Sequence, residues 1–224
     1  MKHKKAKEKR RHLKGEIKAG IMVLTKGMDL LKGLNYQIEL ESVYVPFLLL
    51  SFAFERLLKC ILCLIFLDDN GNWIEQPFKY QKSVKGHDLV YLKERLISVI
   101  TIKEILNEIT RAKVDINFLQ NDEALKLIIK ALSDFGIGAR YYNLGKVLED
   151  GRKYEDPIIT WDRVKENMLL ITRGLDQTLK IPGNKRMTET YNDIIQILGK
   201  LIINLNKLIS LAFTKKIAFT QVAK

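Results

Sequence analysis

Two groups of polar side chains in this sequence of 224 residues have the types and spacing to do chemistry. The first is Glu55 with Lys59, inside the apolar stretch 42–67, followed later by His87 and Asp88. Glu55 and Lys59 are four residues apart, in the order that favours an ion pair on one edge of a helix. Charges on a buried edge need partners, so we expect a cleft that brings His87 or Asp88 to this pair. We interpret the group as a polar network that fixes helix register, with catalysis as the alternative.

The second group is the run Arg140, Tyr141, Tyr142 and Asn143. An arginine beside two aromatic rings and an amide suits RNA recognition, because the guanidinium contacts phosphate while the rings stack on bases. The same tyrosines would also fit as core residues, which is the usual place of aromatic rings at helix ends. The sequence leaves both interpretations open.

Many other chemistries find no support in the residue inventory. The sequence has no HExxH zinc pair, phosphate-binding loop, dinucleotide glycine motif or kinase signature. Cys60 and Cys63 form a CxxC inside an apolar helix, whereas a redox pair usually opens a helix after a strand. We interpret them as two small buried residues. No metal and no other cofactor is predicted.

The positive charge of the chain is concentrated at its start. Residues 1–18 contain nine Lys and Arg against two Glu, so they carry +7 of the formal net charge of +12. Such an arm favours an anionic partner, either nucleic acid or a membrane surface, and a solvated, frayed terminus is the alternative. The residues predicted to contact nucleic acid are Lys4, Lys5, Lys9, Arg10, Arg11 and, much further along, Lys146.

The stretch 42–67 predicts the central helix of a bundle, because it is apolar on nearly every face. Its length would permit a membrane span, but Glu55, Arg56 and Lys59 are costly at bilayer depth. We therefore predict no transmembrane segment. With no export signal recognised at the N-terminus, the expected location is the cytoplasm.

Apolar residues at helical spacing predict three further long helices and several short ones. Asp88 or His87 is predicted to lie near the N-cap of one helix, and Asn121-Asp122 can cap another. Residues 101–104 fit a capping box, and Gly136 with Gly138 is predicted to stop a helix. The apolar stripes are Leu13, Ile17, Ile21, Leu24, Met28 and Leu31; Trp161, Val164, Met168, Ile171, Leu175 and Leu179; and Tyr191, Ile194, Leu198, Leu201, Leu205, Leu208 and Ala212.

These elements predict an all-α fold, a helical bundle of four or more long helices plus short helices, with an irregular loop inserted after the central helix. One helical domain is predicted over residues 1–224. It comprises a basic arm at 1–12, a core at 13–150, and a C-terminal helical pair at 157–224 packed on that core.

The pattern E-R-x-x-K at residues 55–59, a loop, and G-H-D-L at 86–89 resembles the HEPN superfamily of bacterial helical bundles. The run that begins at Arg140 is similar in place to that family's arginine-bearing helix start, and the resemblance covers residues 36–150. It implies a bundle that dimerises face to face, and it implies roles as toxin or phage-defence ribonucleases or as nucleotide-associated partners.

The chain departs from the catalytic members of this family, which carry a His after an Arg with four to six residues between them. After Arg140 those positions hold Gly145, Lys146 and Val147, and no other Arg has a His at that distance. The resemblance thus implies Arg140, Asn143 and Tyr142 as candidate catalytic residues of a metal-independent ribonuclease. Either the activity is lost, or Lys146, a tyrosine or His87 replaces the missing histidine.

The function expected from these observations is that of a HEPN-like homodimer that engages RNA or a nucleotide, as a toxin–antitoxin or phage-defence ribonuclease with a partner protein encoded nearby. The alternative is a non-catalytic dimerising module or partner subunit. A third hypothesis lays the first helix on anionic lipid, with Ile17, Ile21 and Leu24 buried in the membrane.

Overall fold

A computed structural model describes residues 2–34, 43–75, 77, 87–139 and 157–214. These residues form an all-α bundle, which confirms the predicted fold class. The helices, in chain order, are α1 Lys2–Lys32, α2 Tyr44–Phe66, α3 Leu89–Ile100, α4 Lys103–Arg111, α5 Ile116–Asn121, α6 Glu123–Asp134, α7 Pro157–Arg173, α8 Leu175–Lys180 and α9 Gly183–Phe213. A π-helical turn, Phe135–Ala139, continues α6.

Helix α2 is the centre of the bundle. It packs along α1 and also contacts α3, α6 and α9. Phe47, Leu50, Phe54 and Ile61 are fully buried, because a helix that is apolar on nearly every face needs neighbours on several sides. The prediction of a buried central helix with a polar edge is therefore confirmed.

Helix α9 carries the second long buried stripe. All seven apolar positions predicted for it are buried, with Ile194, Leu198 and Leu208 at 0% exposure. Among the described helices, α9 also has the length and composition of a membrane span, with 39% of its most apolar window buried. Core helices of soluble proteins meet the same two criteria.

The aspartate N-caps are as predicted. Asp88 accepts hydrogen bonds from the amides of Val90 and Tyr91, at 2.9 and 3.2 Å, and so begins α3. Asp122 accepts one from the amide of Leu125 at 2.8 Å and begins α6. A short side chain before an apolar repeat needs only local geometry to satisfy these amides.

The predicted capping box at residues 101–104 is wrong, although a short helix does begin there. Thr101 is the C-cap of α3, and its hydroxyl donates back to the carbonyl of Ile97 at 3.1 Å. Ile102 is the N-cap of α4 and makes no side-chain cap. The threonine therefore closes the preceding helix rather than opening the next one.

The α-helix ends at Asp134, two residues before the predicted stop at Gly136 and Gly138, and a π turn carries the helical path through both glycines. A Cβ atom on Gly136 would lie 2.3 Å from Oγ of Ser51 in α2. Ser51 is itself buried, at 1% exposure. This glycine lets two helices approach closely, which is a tertiary requirement that a sequence pattern does not reveal.

The stripe predicted from Trp161 to Leu179 is divided by Gly174. Trp161, Val164 and Met168 are fully buried, but Ile171 is 43% exposed, just before Gly174, and Leu175 and Leu179 are 61% and 62% exposed. Gly174 has a φ of 77° and separates α7 from α8, so the later residues turn away from the core. With Leu170 and Met187 they line an open groove of about 530 Å³.

An ion-pair cluster ties the end of α7 to α9. Asp193 accepts from Nη2 and Nε of Arg173, at 2.6 and 3.0 Å, and from the hydroxyl of Thr172 at 2.6 Å. Glu189 accepts a further bond from Arg173 at 2.8 Å. Together the two carboxylates raise the pKa of Arg173 above its ordinary value, so the guanidinium stays charged.

A tight loop follows α2 and rests on α1. Asp68 Oδ1 accepts from the amides of Asn70 and Asn72, at 2.9 and 2.7 Å, and these bonds lower the pKa of Asp68. Gly71 has a φ of 80°, and a Cβ atom there would lie 2.7 Å from the backbone nitrogen of Ala6. The loop therefore touches the backbone of the basic arm.

Candidate functional site

The exposed face of α1 carries a basic stripe, which we define as Lys4, Lys7, Arg11, Lys14 and Lys18. These residues follow a 3-4-3-4 spacing, which places them on one face of a helix. All five are exposed, and no ion pair within the described residues includes any of them. At 1.5 Å per residue the stripe is about 21 Å long. It presents cations at intervals along a straight line.

The stripe stays exposed because the opposite face of α1 is buried. Ala6, Ile17, Leu24 and Met28 are each less than 8% exposed. This also makes the lipid hypothesis wrong for Ile17 and Leu24, which pack in the protein core. Ile21, predicted to be on the buried stripe, is 39% exposed. The arm is helical from Lys2 onward, and it packs against the protein from Ala6, rather than forming a frayed terminus.

Two of the residues predicted to contact nucleic acid are engaged within the protein instead. Arg10 Nη2 lies 3.4 Å from the carbonyl oxygen of Leu67 and 3.8 Å from a carboxylate oxygen of Asp69. Lys9 Nζ lies 4.3 Å from the ring centroid of Trp73. Both side chains attach the arm to the loop after α2. Of the other predicted contacts, Lys4 and Arg11 belong to the basic stripe, and Lys5 is exposed beside Gly71.

Trp73 stands at the surface next to the arm. Its exposed fraction is 41%, whereas the other tryptophan, Trp161, is fully buried. An antiparallel bridge joins Trp73 to Leu67, and the next amide, of Ile74, donates to the carbonyl of Phe66 at 2.9 Å. The backbone on both sides of the indole is thus held by the end of α2.

The polar cleft predicted around Glu55 is largely present. Glu55 Oε1 lies 2.7 Å from Lys59 Nζ and 2.9 Å from His87 Nδ1, while the Glu55 side chain is only 13% exposed. The carboxylate of Asp88 is used elsewhere, because it caps α3 and accepts from the Ser133 hydroxyl at 3.1 Å. The structure therefore brings three of the four predicted residues together.

A cavity of about 280 Å³ between α1 and α2 adjoins this cleft. Arg56 lies within it, paired with Glu16 at 3.3 Å and placed over the ring of Phe52 at 4.6 Å. The cations of the cleft face carboxylates, which gives it little net charge for attracting an anion. This geometry fits the interpretation as a polar network that fixes the position of α2 against α1 and α3.

The two cysteines at this cavity are free thiols. Burial raises the pKa of Cys60 to about 12 and that of Cys63 to about 11. The thiolate is the reactive form. At neutral pH the pair has little thiolate, which argues against redox chemistry.

We expect iodoacetamide at about pH 8 to alkylate the folded protein about 100-fold more slowly than the urea-unfolded chain, because the unfolded thiols return to an ordinary pKa near 8.5. Mass spectrometry of timed samples measures both rates. Rapid labelling of the folded protein would contradict the burial of these thiols.

The candidate catalytic residues Arg140, Tyr142 and Asn143 lie outside the described residues, as do Tyr141 and Lys146. They remain predictions. Sequence reasoning did not identify Lys7, Lys14 and Lys18 as one surface with Lys4 and Arg11, although their spacing was available. It also missed Trp73, whose exposure depends on how the loop is seated.

Comparisons of the chain with protein-family models, with curated proteins and with solved structures give no match. A functional proposal for this protein has to be built from its own residues.

Proposed function

We propose that this chain is a HEPN-like helical protein that binds RNA along α1. The observation that carries the proposal is the basic stripe, in which five exposed cations on one helix face form no ion pairs within the described residues. When a row of cations neutralises phosphates, the nucleic acid releases its condensed counterions. The free energy of this release dominates sequence-independent nucleic-acid binding. The stripe is directed to solvent by a rigid, packed helix.

The HEPN-like part of the proposal has separate support. The two motifs on which the resemblance depends are 32 residues apart, and they meet through Glu55 and His87 at 2.9 Å. This hydrogen-bond contact joins the interior of α2 to the start of α3, so the two motifs lie at one place in the fold. The proposal commits to RNA because of this resemblance, since lysines on a helix do not by themselves distinguish RNA from DNA.

We expect the double substitution Arg11→Gln with Lys14→Gln to weaken binding of a single-stranded RNA about 25-fold at about 0.1 M salt. Each lost phosphate contact makes the slope of log affinity against log salt less steep by about 0.7 for single strands, so two contacts change it by about 1.4. At about 0.1 M salt this change in slope corresponds to about 25-fold in affinity. Fluorescence anisotropy of a labelled oligonucleotide across a salt series measures the affinity and the slope.

The matched control is Lys180→Gln with Lys185→Gln, which removes the same charge from exposed positions of α8 and α9. We expect this control to bind with the wild-type slope. Equal losses in the two variants would show that net charge alone attracts RNA. Absence of wild-type binding, or tighter binding of DNA with the same sequence, would contradict the proposal as stated.

Cleavage of the bound RNA is a further part of the proposal, and its support is the Arg140 run of the sequence. In this mechanism Arg140 binds the scissile phosphate, with Asn143 and a tyrosine assisting. Incubation with total RNA and a tRNA pool, beside an Arg140→Ala variant, tests it. Cleavage by the wild type alone would support a ribonuclease with a non-standard acid or base. No cleavage by either would leave a protein that binds RNA without cutting it.

The alternative function, a non-catalytic dimerising module, stays a prediction. Within the described residues, the groove lined by the exposed Leu170, Leu175, Leu179 and Met187 is the feature that would serve it. Light scattering at two protein concentrations measures the oligomeric state. A dimer with no affinity for RNA would favour this alternative.

A further inference from the structure

We propose that Trp73 is a stacking platform for an unpaired base of single-stranded RNA, at the N-terminal end of α1. This inference rests on the proposed function, because it extends the RNA path from the basic stripe across the exposed surface of α1 to the loop after α2. It assigns a base-contacting role to a surface indole.

The first argument is the fixed backbone that carries the ring. The loop that carries Trp73 is closed by the bridge to Leu67 and by the hydrogen bond from the amide of Ile74 to the carbonyl of Phe66 at 2.9 Å. Gly71 seats the same loop against the backbone of Ala6. Stacking of a base on Trp73 therefore requires little ordering of the loop, and a preorganised contact gains affinity for that reason.

The second argument is the environment of the ring. Trp73 keeps 41% of its surface exposed, and the neighbouring Ile74 keeps 42%. Lys9 Nζ lies over one face of the ring, 4.3 Å from the centroid, so a base would have to stack on the other face, and Lys5 is exposed on the adjoining turn of α1. An exposed aromatic ring among cations is the combination that binds single strands, because the ring contacts the base while ammonium groups meet the phosphates.

The third argument concerns the class of RNA. Bases inside a duplex are stacked on one another and cannot cover a protein ring, whereas those of single strands and loops can. The basic stripe contacts phosphates in either form. Trp73 therefore gives a preference for unpaired RNA that the lysines alone do not provide.

The test compares Trp73→Ala and Trp73→Phe with the wild type, using a short labelled oligoadenylate RNA and the duplex that it forms with oligouridylate. One stacked base corresponds to about tenfold in affinity. We expect Trp73→Ala to bind the single strand about tenfold more weakly, Trp73→Phe to recover most of that loss, and the affinity for duplex to stay unchanged in both.

Tryptophan fluorescence provides a second readout. Single-stranded RNA should quench the wild-type emission, and the quenching should vanish in Trp73→Phe, where the buried Trp161 is the remaining indole. Emission from Trp161 also reports that each variant is folded.

The outcomes separate the two proposals. Wild-type affinity in a folded Trp73→Ala, with the salt slope intact, would overturn the stacking role and leave RNA binding by α1 standing. Equal losses for single strand and duplex would also overturn it, because the ring would then act by supporting the arm. A wild type that binds no RNA would overturn the proposed function and this inference with it.

Discussion

Gly71→Ala should lower the free energy of unfolding by about 3 kcal/mol. Two separate effects contribute. The φ of 80° is strained for any residue with a Cβ atom, at about 1–3 kcal/mol. The new methyl group would also lie 2.7 Å from the backbone nitrogen of Ala6, and overpacking of this kind costs about 1–3 kcal/mol. Urea denaturation followed by circular dichroism measures the change.

Gly174→Ala tests backbone strain without a steric contact. Gly174 has a φ of 77° and a ψ of 167°, a combination that residues with a Cβ atom hardly adopt. A Cβ atom there would meet nothing within 4 Å, so we expect a cost of about 3 kcal/mol from strain alone. Wild-type stability of Gly71→Ala would mean that the loop is not seated against the arm as the structure shows.

We also expect Asp193→Ala to destabilise the protein by about 3 kcal/mol. The Asp193 side chain is 9% exposed and accepts three hydrogen bonds from Arg173 and Thr172. Removing one partner of a buried ion pair costs about 3–5 kcal/mol, because the other charge is left without compensation. The lower end applies here, since Arg173 keeps Glu189 and is itself 27% exposed.

Glu189→Ala is the control for this cluster. Its side chain is 34% exposed and makes one bond to Arg173, so we expect a loss of at most about 1 kcal/mol. Thermal or urea unfolding of both variants gives the comparison. If Glu189→Ala were as costly as Asp193→Ala, the arginine rather than its buried partner would determine the stability of this junction.

Features that depend on a few neighbouring residues could be predicted from the sequence. Asp88 and Asp122 begin helices because each satisfies amides two or three residues ahead, and this geometry is the same in any fold. The stripe of α9 is buried as predicted because its apolar repeat runs through the helix without a break. The Glu55–Lys59 pair follows from spacing alone.

Features that depend on another segment, or on a choice between two local patterns, could not be predicted from the sequence. Nothing around Gly136 indicates that Ser51, far away in the chain, needs its space. Thr101 has the spacing of a capping box, but its hydroxyl has a carbonyl within reach in the preceding helix. Leu175 continues an apolar repeat that Gly174 redirects. At Gly136 the requirement comes from a distant helix, whereas at Thr101 and at Gly174 two local patterns competed.

The candidate site shows the same division. The concentration of positive charge near the N-terminus was visible in the sequence. Which of these cations contact the protein and which face solvent was not. Lys9 and Arg10 are held by the loop after α2, while Lys4 and Arg11 face solvent. The contact of Glu55 with His87 was foreseen as one option, because both belong to elements that a bundle brings near each other.

The central position of α2 has a consequence for synthesis. The ribosome makes α1 and α2 before the other described helices, and these two can pair at once, but α9 begins only at Gly183. The faces of α2 that contact α3, α6 and α9 are covered only as each of these helices is made, the last of them late. Such surface makes partly made chains prone to aggregation. We therefore expect a fragment ending before α7 to be insoluble unless a chaperone holds it.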